Sequence, residues 1–270
     1  MADQTLIVER RDGVVTATMN RPARKNAADA EMWNALLACF REVATNPADR
    51  VLVLTGAGDA FCSGADVTGM QPTVDGDGDD DPDAPRPHRL GQMRHIGAIA
   101  SALYRTPQPT IAKVRGIAAG AGMNMALLCD LVVASDNARF SEIFARRGLT
   151  LDFGGSWILP RRVGLHRAKE LALFADIIDA AEADRIGLVN RVVPDGELDA
   201  FVDEWAARLA AQPPIAVAQS KRLLNNASSI GLEQALDDEG ATQTINFTTE
   251  DTAEAVSAFL EKREPKFRGR

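Results

Sequence analysis

The sequence predicts an α/β fold in which short strands and helices alternate through the first two thirds of the chain and helices alone fill the rest. Three observations carry this prediction. Continuous β-branched and apolar runs such as Val51 to Leu54 read as strands buried on both faces. Segments with apolar residues every third or fourth position lie between them. Small residues follow two of the strands, where a helix start is expected. The composition, 46% hydrophobic and 25% charged with only 5% aromatic residues, is that of an ordinary globular protein, so function has to be sought in motifs.

Thr5 to Met19 reads as two strands joined at Asp12-Gly13, a dipeptide that accepts the positive φ angles of a tight hairpin turn. Asn20-Arg21-Pro22 ends that pairing. Asp29 is placed as the N-cap of a helix with the face Met32, Leu36, Cys39, Phe40 and Val43, closed by Asn46-Pro47. Val51 to Leu54 is the next strand, followed by Gly56-Ala57-Gly58. Residues 71–89, rich in Asp, Gly and Pro with almost nothing to bury, are predicted to form a mobile surface loop. The aspartate spacing there lacks the distal glutamate of a calcium loop, so no metal site is expected. A helix from Leu90 to Tyr104 stops at Thr106-Pro107, and a strand from Pro109 to Val114 leads into a glycine-rich turn and an apolar helix. Leu131 to Ala134 and Ala138 to Phe140 are further strands. From Leu165 onward helical patterns dominate, over His166 to Phe174, Ala181 to Ile186, Leu198 to Ala211, Pro214 to Leu224, Leu232 to Ile245 and Thr252 to Lys262.

A formal net charge of −8 argues against a protein that grips nucleic acid or an anionic membrane with its whole surface. Cys39, Cys62 and Cys129 are odd in number and far apart, suggesting neither a disulfide framework nor a zinc site, and a reducing cytoplasm fits best. The N-terminal residues do not make a signal peptide, and the longest apolar run, Ile117 to Cys129, falls short of the ~18 residues needed to span a bilayer. The three histidines neighbour no motif.

Two stretches carry chemistry. In Arg115 to Asp130 a buried strand ends, glycines and alanines turn, and a helix begins, leaving backbone N–H groups without intrahelical partners and free of covering side chains. Those donors and the positive helix end favour a developing oxyanion. Gly58 to Val67 repeats the pattern with a strand exit, small residues and a helix start.

With Asn20-Arg21-Pro22 and Asn26-Ala27 after the hairpin, Phe61-Cys62-Ser63-Gly64-Ala65-Asp66, the glycine turn with its Cys129-Asp130 tail, Leu159-Pro160-Arg161 before Gly164, and Ala180 to Ala183 before Gly187-Leu188-Val189, the sequence resembles the crotonase family of enoyl-CoA hydratases and isomerases. The resemblance covers nearly the whole chain. It implies a crotonase-like spiral of ββα units over 1–195 that binds acyl-CoA, and a helical region over 196–270 for oligomerisation and site cover. The oligomer it implies is a homotrimer or a dimer of trimers. Coenzyme A is then part of the substrate, and no separate cofactor or metal is required. By motif register the N–H groups of Ala65 and Ala121 would converge on the thioester oxygen and stabilise an enolate-like state. Ala23, Lys25, Ser63, Ala65, Asp66, Val67, Gly120 and Ala121 fall where the family lines its CoA site.

The departures decide the reaction. Hydratases of this family carry one catalytic Glu three residues after the second oxyanion position and another further along; here those positions hold Asn124 and Phe144. Glu142 lies two residues off the second register and would substitute only through a shift of the local backbone; otherwise it reads as a surface residue. Asp152 stands where isomerases of the family carry a catalytic Asp and where a dehalogenase branch carries its nucleophile. One carboxylate opposite an oxyanion hole suffices to move a double bond, because the same group removes and returns the proton. The plainer role for Asp152 is to cap the helix that begins near Gly154. Isomerisation through Asp152 is the leading expectation; water addition with a displaced acid/base set and acyl-CoA binding without strong catalysis remain beside it.

Overall fold

A computed structural model describes residues 4–67 and 89–270. The segment read as a mobile loop, 71–89, lies outside the described residues except for Arg89, which opens a helix; the helix start expected after Val67 and His88 lie outside them too.

Strands β1 (Leu6–Arg11) and β2 (Val14–Met19) form the predicted hairpin, with Leu6 opposite Met19 and Arg11 opposite Val14. Asp12 and Gly13 both take positive φ, 51° and 81°, as a two-residue turn between right-twisted strands requires. Asp29 caps α1 (Ala30–Thr45), its carboxylate accepting from the Met32 N–H at 2.9 Å.

The chain then winds as repeated strand pairs followed by helices. The first turn is β3 (Val51–Gly56), β4 (Ala60–Cys62) and α2 (Arg89–Arg105). The second is β5 (Thr110–Val114), β6 (Ile117–Ala119) and α3 (Ala121–Leu128); the third is β7 (Leu131–Ser135), β8 (Arg139–Ser141) and α4 (Gly155–Phe174). Strand β9 (Ile178–Asp179), α5 (Ala180–Arg185) and β10 (Arg191–Val193) complete the winding. Each turn sends one strand to each of two sheets, a six-stranded one ordered β1-β2-β3-β5-β7-β10 and a four-stranded one ordered β4-β6-β8-β9. Strands β2, β3, β5, β7 and β10 run parallel, as do β4, β6 and β8. Helices α6 (Leu198–Ala210), α7 (Pro214–Asn226), α8 (Leu232–Phe247) and α9 (Glu250–Glu261) follow.

Four short strands depart from the sequence reading. Ala60–Cys62 lies in a stretch read as strand exit and small residues, Ile117–Ala119 in one read as turn, and Ile178–Asp179 and Arg191–Val193 in territory read as helical. Two or three residues are too few to show alternation, and only pairing among β4, β6, β8 and β9, and of β10 with β7, makes strands of them. The two helical pieces around Leu165 form one element, α4, with a non-helical break at Gly164.

Burial follows the two-residue period of the central strands. Leu52, Leu54, Ala112, Val114, Val132 and Ala134 turn into the main core with α1, α2 and α3, whereas Val51, Val53, Ile111 and Val133 meet Leu198, Val202 and Ala206 of α6. Both faces are therefore covered, which is why the strand at Val51 reads as an unbroken apolar run. At roughly 1.5–3 kcal/mol for each fully buried large aliphatic side chain, this sheet anchors the fold. Among the described residues no helix is long and apolar enough to cross a membrane.

The start of α3 packs directly on the end of β4. A Cβ placed on Gly122 would lie 2.2 Å from the Cys62 carbonyl oxygen, a backbone atom that cannot step aside. Gly122→Ala is expected to destabilise the protein by about 1–3 kcal/mol or more, the usual cost of overpacking. A urea-unfolding midpoint equal to wild type would contradict this contact.

Candidate active site

Two backbone segments meet at the β4 edge of the four-stranded sheet. The first, residues 21–28, is locked to the second, residues 57–66, by Asn26. Its side-chain oxygen accepts from the Arg21 N–H at 2.9 Å, and its amide donates to the carbonyls of Ala57 (2.9 Å) and Ala60 (2.7 Å). Ala28 N–H donates to Gly64 O at 2.8 Å and Asp66 N–H donates to Ala28 O at 2.9 Å, leaving the intervening Ala65 amide outside the pairing. Gly64 in turn comes against the glycine turn: a Cβ on it would sit 3.1 Å from Ala119 O and 3.8 Å from Ala121 N. Gly120, with φ 53° and ψ −127°, makes a bend closed to other residues and starts α3. Its own N–H is taken by Ser141 O at 2.8 Å. Among the described residues neither the Ala65 nor the Ala121 amide has a backbone acceptor, and Ala121 occupies the first position of the helix. The two amides thus come from neighbouring segments that glycine alone allows to approach.

Of the residues expected along a CoA site, Ala23 and Lys25 lie at exposed positions of the 21–28 segment. Lys25 is ion-paired with Asp59, whose carboxyl is held below its usual range by that contact. Ser63 donates from its backbone N–H to Lys25 O at 3.0 Å and from its hydroxyl to Arg24 O at 3.3 Å. Asp66 pairs with Arg21 at 2.8 Å, and Val67 is exposed. These residues share one lobe with Ala65, adjoining Gly120 and Ala121 across Gly64.

Helix α3 is buried all round, and Asn124 sits in its middle. The side-chain amide donates to Glu142 Oε2 at 3.3 Å and to the main-chain carbonyl of Asp152 at 3.0 Å. Space for this reach comes from Gly155, where a Cβ would lie 2.3 Å from Asn124 Nδ2. Three acceptors of this cluster, Asn124 Oδ1, Glu142 Oε1 and Asp152 Oδ1, are buried with no hydrogen-bond partner among the described residues. Burial pushes the Asp152 carboxyl up to about 6. Burial also pushes Glu142 up to about 8; the bond from Asn124 opposes this and the nearby Asp152 charge adds to it.

Two sequence expectations are corrected. Asp152 does not cap α4 with its side chain; Gly154 holds the cap position, and it is the Asp152 main-chain carbonyl that accepts from Gly155 N–H, at 2.9 Å. Glu142 is not a surface residue but fully buried. It directly follows Ser141, whose pairing with Ala119 and Gly120 carries it to the start of α3. An acidic residue flanked by Phe140 and Phe144 was the available signal, but its link to Asn124 is a tertiary one. Phe144, at the second hydratase register, lies over the glycine turn, 3.4 Å from where a Gly120 Cβ would stand. A cavity of about 910 Å³ lies behind the site, walled by α2, α7 and Trp157 and touching the cluster only near Gly154. Tyr104 and Trp157 meet there edge to face, their ring centres 5.1 Å apart.

The sequence model of a family described as enoyl-CoA hydratase/isomerase matches residues 9–270. The chain is 38% identical to the 1,2-epoxyphenylacetyl-CoA isomerase of Escherichia coli K12 over 96% of each chain. It is 34% identical to the crotonyl-CoA hydratase of Syntrophomonas wolfei over 99% of each. The crystal structure of an enoyl-CoA hydratase from Bacillus anthracis superposes with a TM-score of 0.90 at 30% identity, covering 99% of this chain and 100% of that one.

The two buried carboxyls make stability depend on pH. Both bind protons more tightly folded than unfolded, so folding loses stability as pH rises from the unfolded values near 4 through about 6 for Asp152 and about 8 for Glu142. An Asp152→Asn, Glu142→Gln double variant should keep stability that wild type loses between pH 5 and 8, on the order of a few kcal/mol. Parallel urea-unfolding curves at the two pH values check this, and an identical pH response in both proteins would contradict it.

Proposed function

The chain belongs to the enoyl-CoA hydratase/isomerase family of acyl-CoA thioester enzymes, and on this premise we propose that it moves a double bond within an enoyl thioester. The observation that carries the reading is Asp152, whose Oδ1 is buried and unpartnered beside the helix that begins at Ala121. With its proton affinity raised to about 6, Asp152 is ionised at neutral pH yet more basic than an exposed carboxylate. It takes a proton from carbon, and the electron pair released moves through the conjugated system to the thioester oxygen. The Ala65 and Ala121 N–H groups hold that oxygen. When the enolate collapses, the proton returns to a different carbon, and the net change is a shifted double bond. Ala23, Lys25, Ser63, Asp66, Val67 and Gly120 serve the CoA portion in this reading, and no further cofactor takes part. A second reading, water addition, draws on Glu142 as another carboxyl of the same cluster. The free, buried thiols of Cys39, Cys62 and Cys129 support a cytoplasmic setting.

The C-terminal helices support assembly of copies, as a trimer or a dimer of trimers. Leu232 and Leu236 on α8, and Val256, Phe259 and Leu260 on α9, are exposed, more apolar surface than a lone chain usually leaves in water.

Two experiments test these readings. Exchange of substrate protons with deuterated solvent reports proton abstraction directly; Asp152→Asn should reduce it by about 10²–10⁴-fold while acyl-CoA binding persists. Ala121→Pro removes one donor at a helix position that tolerates proline and should cost about 10²–10³ in rate. Undiminished exchange in folded Asp152→Asn would remove the base from this mechanism. For assembly, sedimentation of wild type should give three or six copies and a Phe259→Glu, Leu260→Glu variant should give fewer; a monomeric wild type would refute the assembly.

A further inference from the structure

Asn124, Glu142 and Asp152 present three buried acceptor atoms, Asn124 Oδ1, Glu142 Oε1 and Asp152 Oδ1, and the only side-chain donor among them, the Asn124 amide, is already engaged with Glu142 Oε2 and the Asp152 carbonyl. With both acids ionised the cluster would hold two negative charges and an excess of lone pairs around buried atoms, which is costly where no donor answers them. A single proton changes this, because it turns one acceptor into a donor and removes one charge. Glu142 is the group placed to hold it. It is fully buried whereas Asp152 is partly open, and Asp152 is the one ionisable group whose charge acts on it among the described residues. Glu142 also follows the residue whose carbonyl takes the Gly120 N–H, so a charge on it would stand beside the turn that offers the Ala121 amide.

We propose that Glu142 is a positioning residue that stays protonated, supplies the one proton the cluster lacks, and leaves Asp152 as its only charged carboxyl. It acts through Asn124: the Glu142 carboxyl orients the Asn124 amide, and that amide fixes the main chain of Asp152. No proton passes between Glu142 and substrate, and no bond to the substrate is made by it. The inference rests on the isomerase reading only for its kinetic consequence. An ionised Glu142 would oppose enolate formation next to the helix start, so wild-type exchange should fall at alkaline pH.

The test pairs kinetics with direct titration. Solvent-deuterium exchange into a short enoyl-CoA thioester is measured from pH 5 to 10 for wild type, Glu142→Gln and Glu142→Leu, each checked for fold by circular dichroism. Glutamine keeps a permanent neutral amide, so Glu142→Gln should lose less than about tenfold and lack the alkaline fall, well short of the 10²–10⁴-fold loss of a proton-transfer group. Leucine fills the space with apolar atoms but cannot orient Asn124 and should lose about 10²-fold through misplacement of the base. Collapse of Glu142→Gln at every pH, or an alkaline fall that it shares with wild type, would overturn the proposal. A carboxyl-¹³C titration of wild-type protein follows Glu142 independently of turnover and of variant folding. A protonated Glu142 at pH 7 supports the assignment, and an ionised one overturns it even if Asp152→Asn shows the isomerase reading to be right. Retained exchange in Asp152→Asn with a protonated Glu142 would instead refute that reading and leave this one standing.

Discussion

A helix buried on every side has no water to offer a polar residue, and Asn124 in the middle of α3 is therefore the constraint around which the site is built. Every residue of α3 is buried, so the Asn124 amide must find its acceptors within the protein. It finds them on two separate segments, the end of β8 through Glu142 and the turn before α4 through the Asp152 carbonyl. Three consecutive parts of the winding chain are tied at one side chain. An unpaired buried amide would cost about 1–3 kcal/mol, so the tie fixes geometry as well as contributing stability. Gly155 belongs to the same constraint, since any side chain there would occupy the path of the amide.

The second requirement is that two backbone amides approach from different segments. Backbone can approach backbone so closely only where Cβ atoms are absent, and Gly64 and Gly122 are placed at those approaches, while Gly120 supplies the positive-φ bend between them. The resulting donors need no side chain and no reorganisation when charge develops on a bound oxygen, which is where such preorganised groups are most effective. The strands β4, β6 and β8 set this spacing because their parallel register brings Ala118 opposite both Cys62 and Phe140. Core packing and the approach of the two amides are here consequences of the same pairing.

Much of this was legible from the sequence for physical reasons that differ by element. The hairpin announced itself through Asp12-Gly13, α1 through its cap and its apolar face, and the central strands through runs that must be buried on both sides. The small-residue turns were legible because glycine and alanine have few other uses at a strand exit. Strands β4, β6, β9 and β10 were not, because a strand of two or three residues is defined by its partner rather than by its own pattern. Glu142 was misread for a related reason. Taken alone, a charged residue in a short segment belongs in water, and only the pairing of β6 with β8 reveals that this one ends beside a buried amide.

Asn124 then takes on a meaning different from the loss of a carboxylate. The family's hydratases would place a glutamate at this position; beside Glu142 and Asp152 it would make a third acid in a site already short of donors. Three carboxyls there would have to share protons, and each added charge would raise the proton affinity of the others. An amide one methylene shorter removes that charge and contributes a donor aimed at both neighbours. The exchange of acid for amide at 124 is therefore what makes an acid at 142 physically tolerable. In the reading proposed above, one carboxylate, in the turn before α4, moves the proton, and the acid that follows β8 stays neutral.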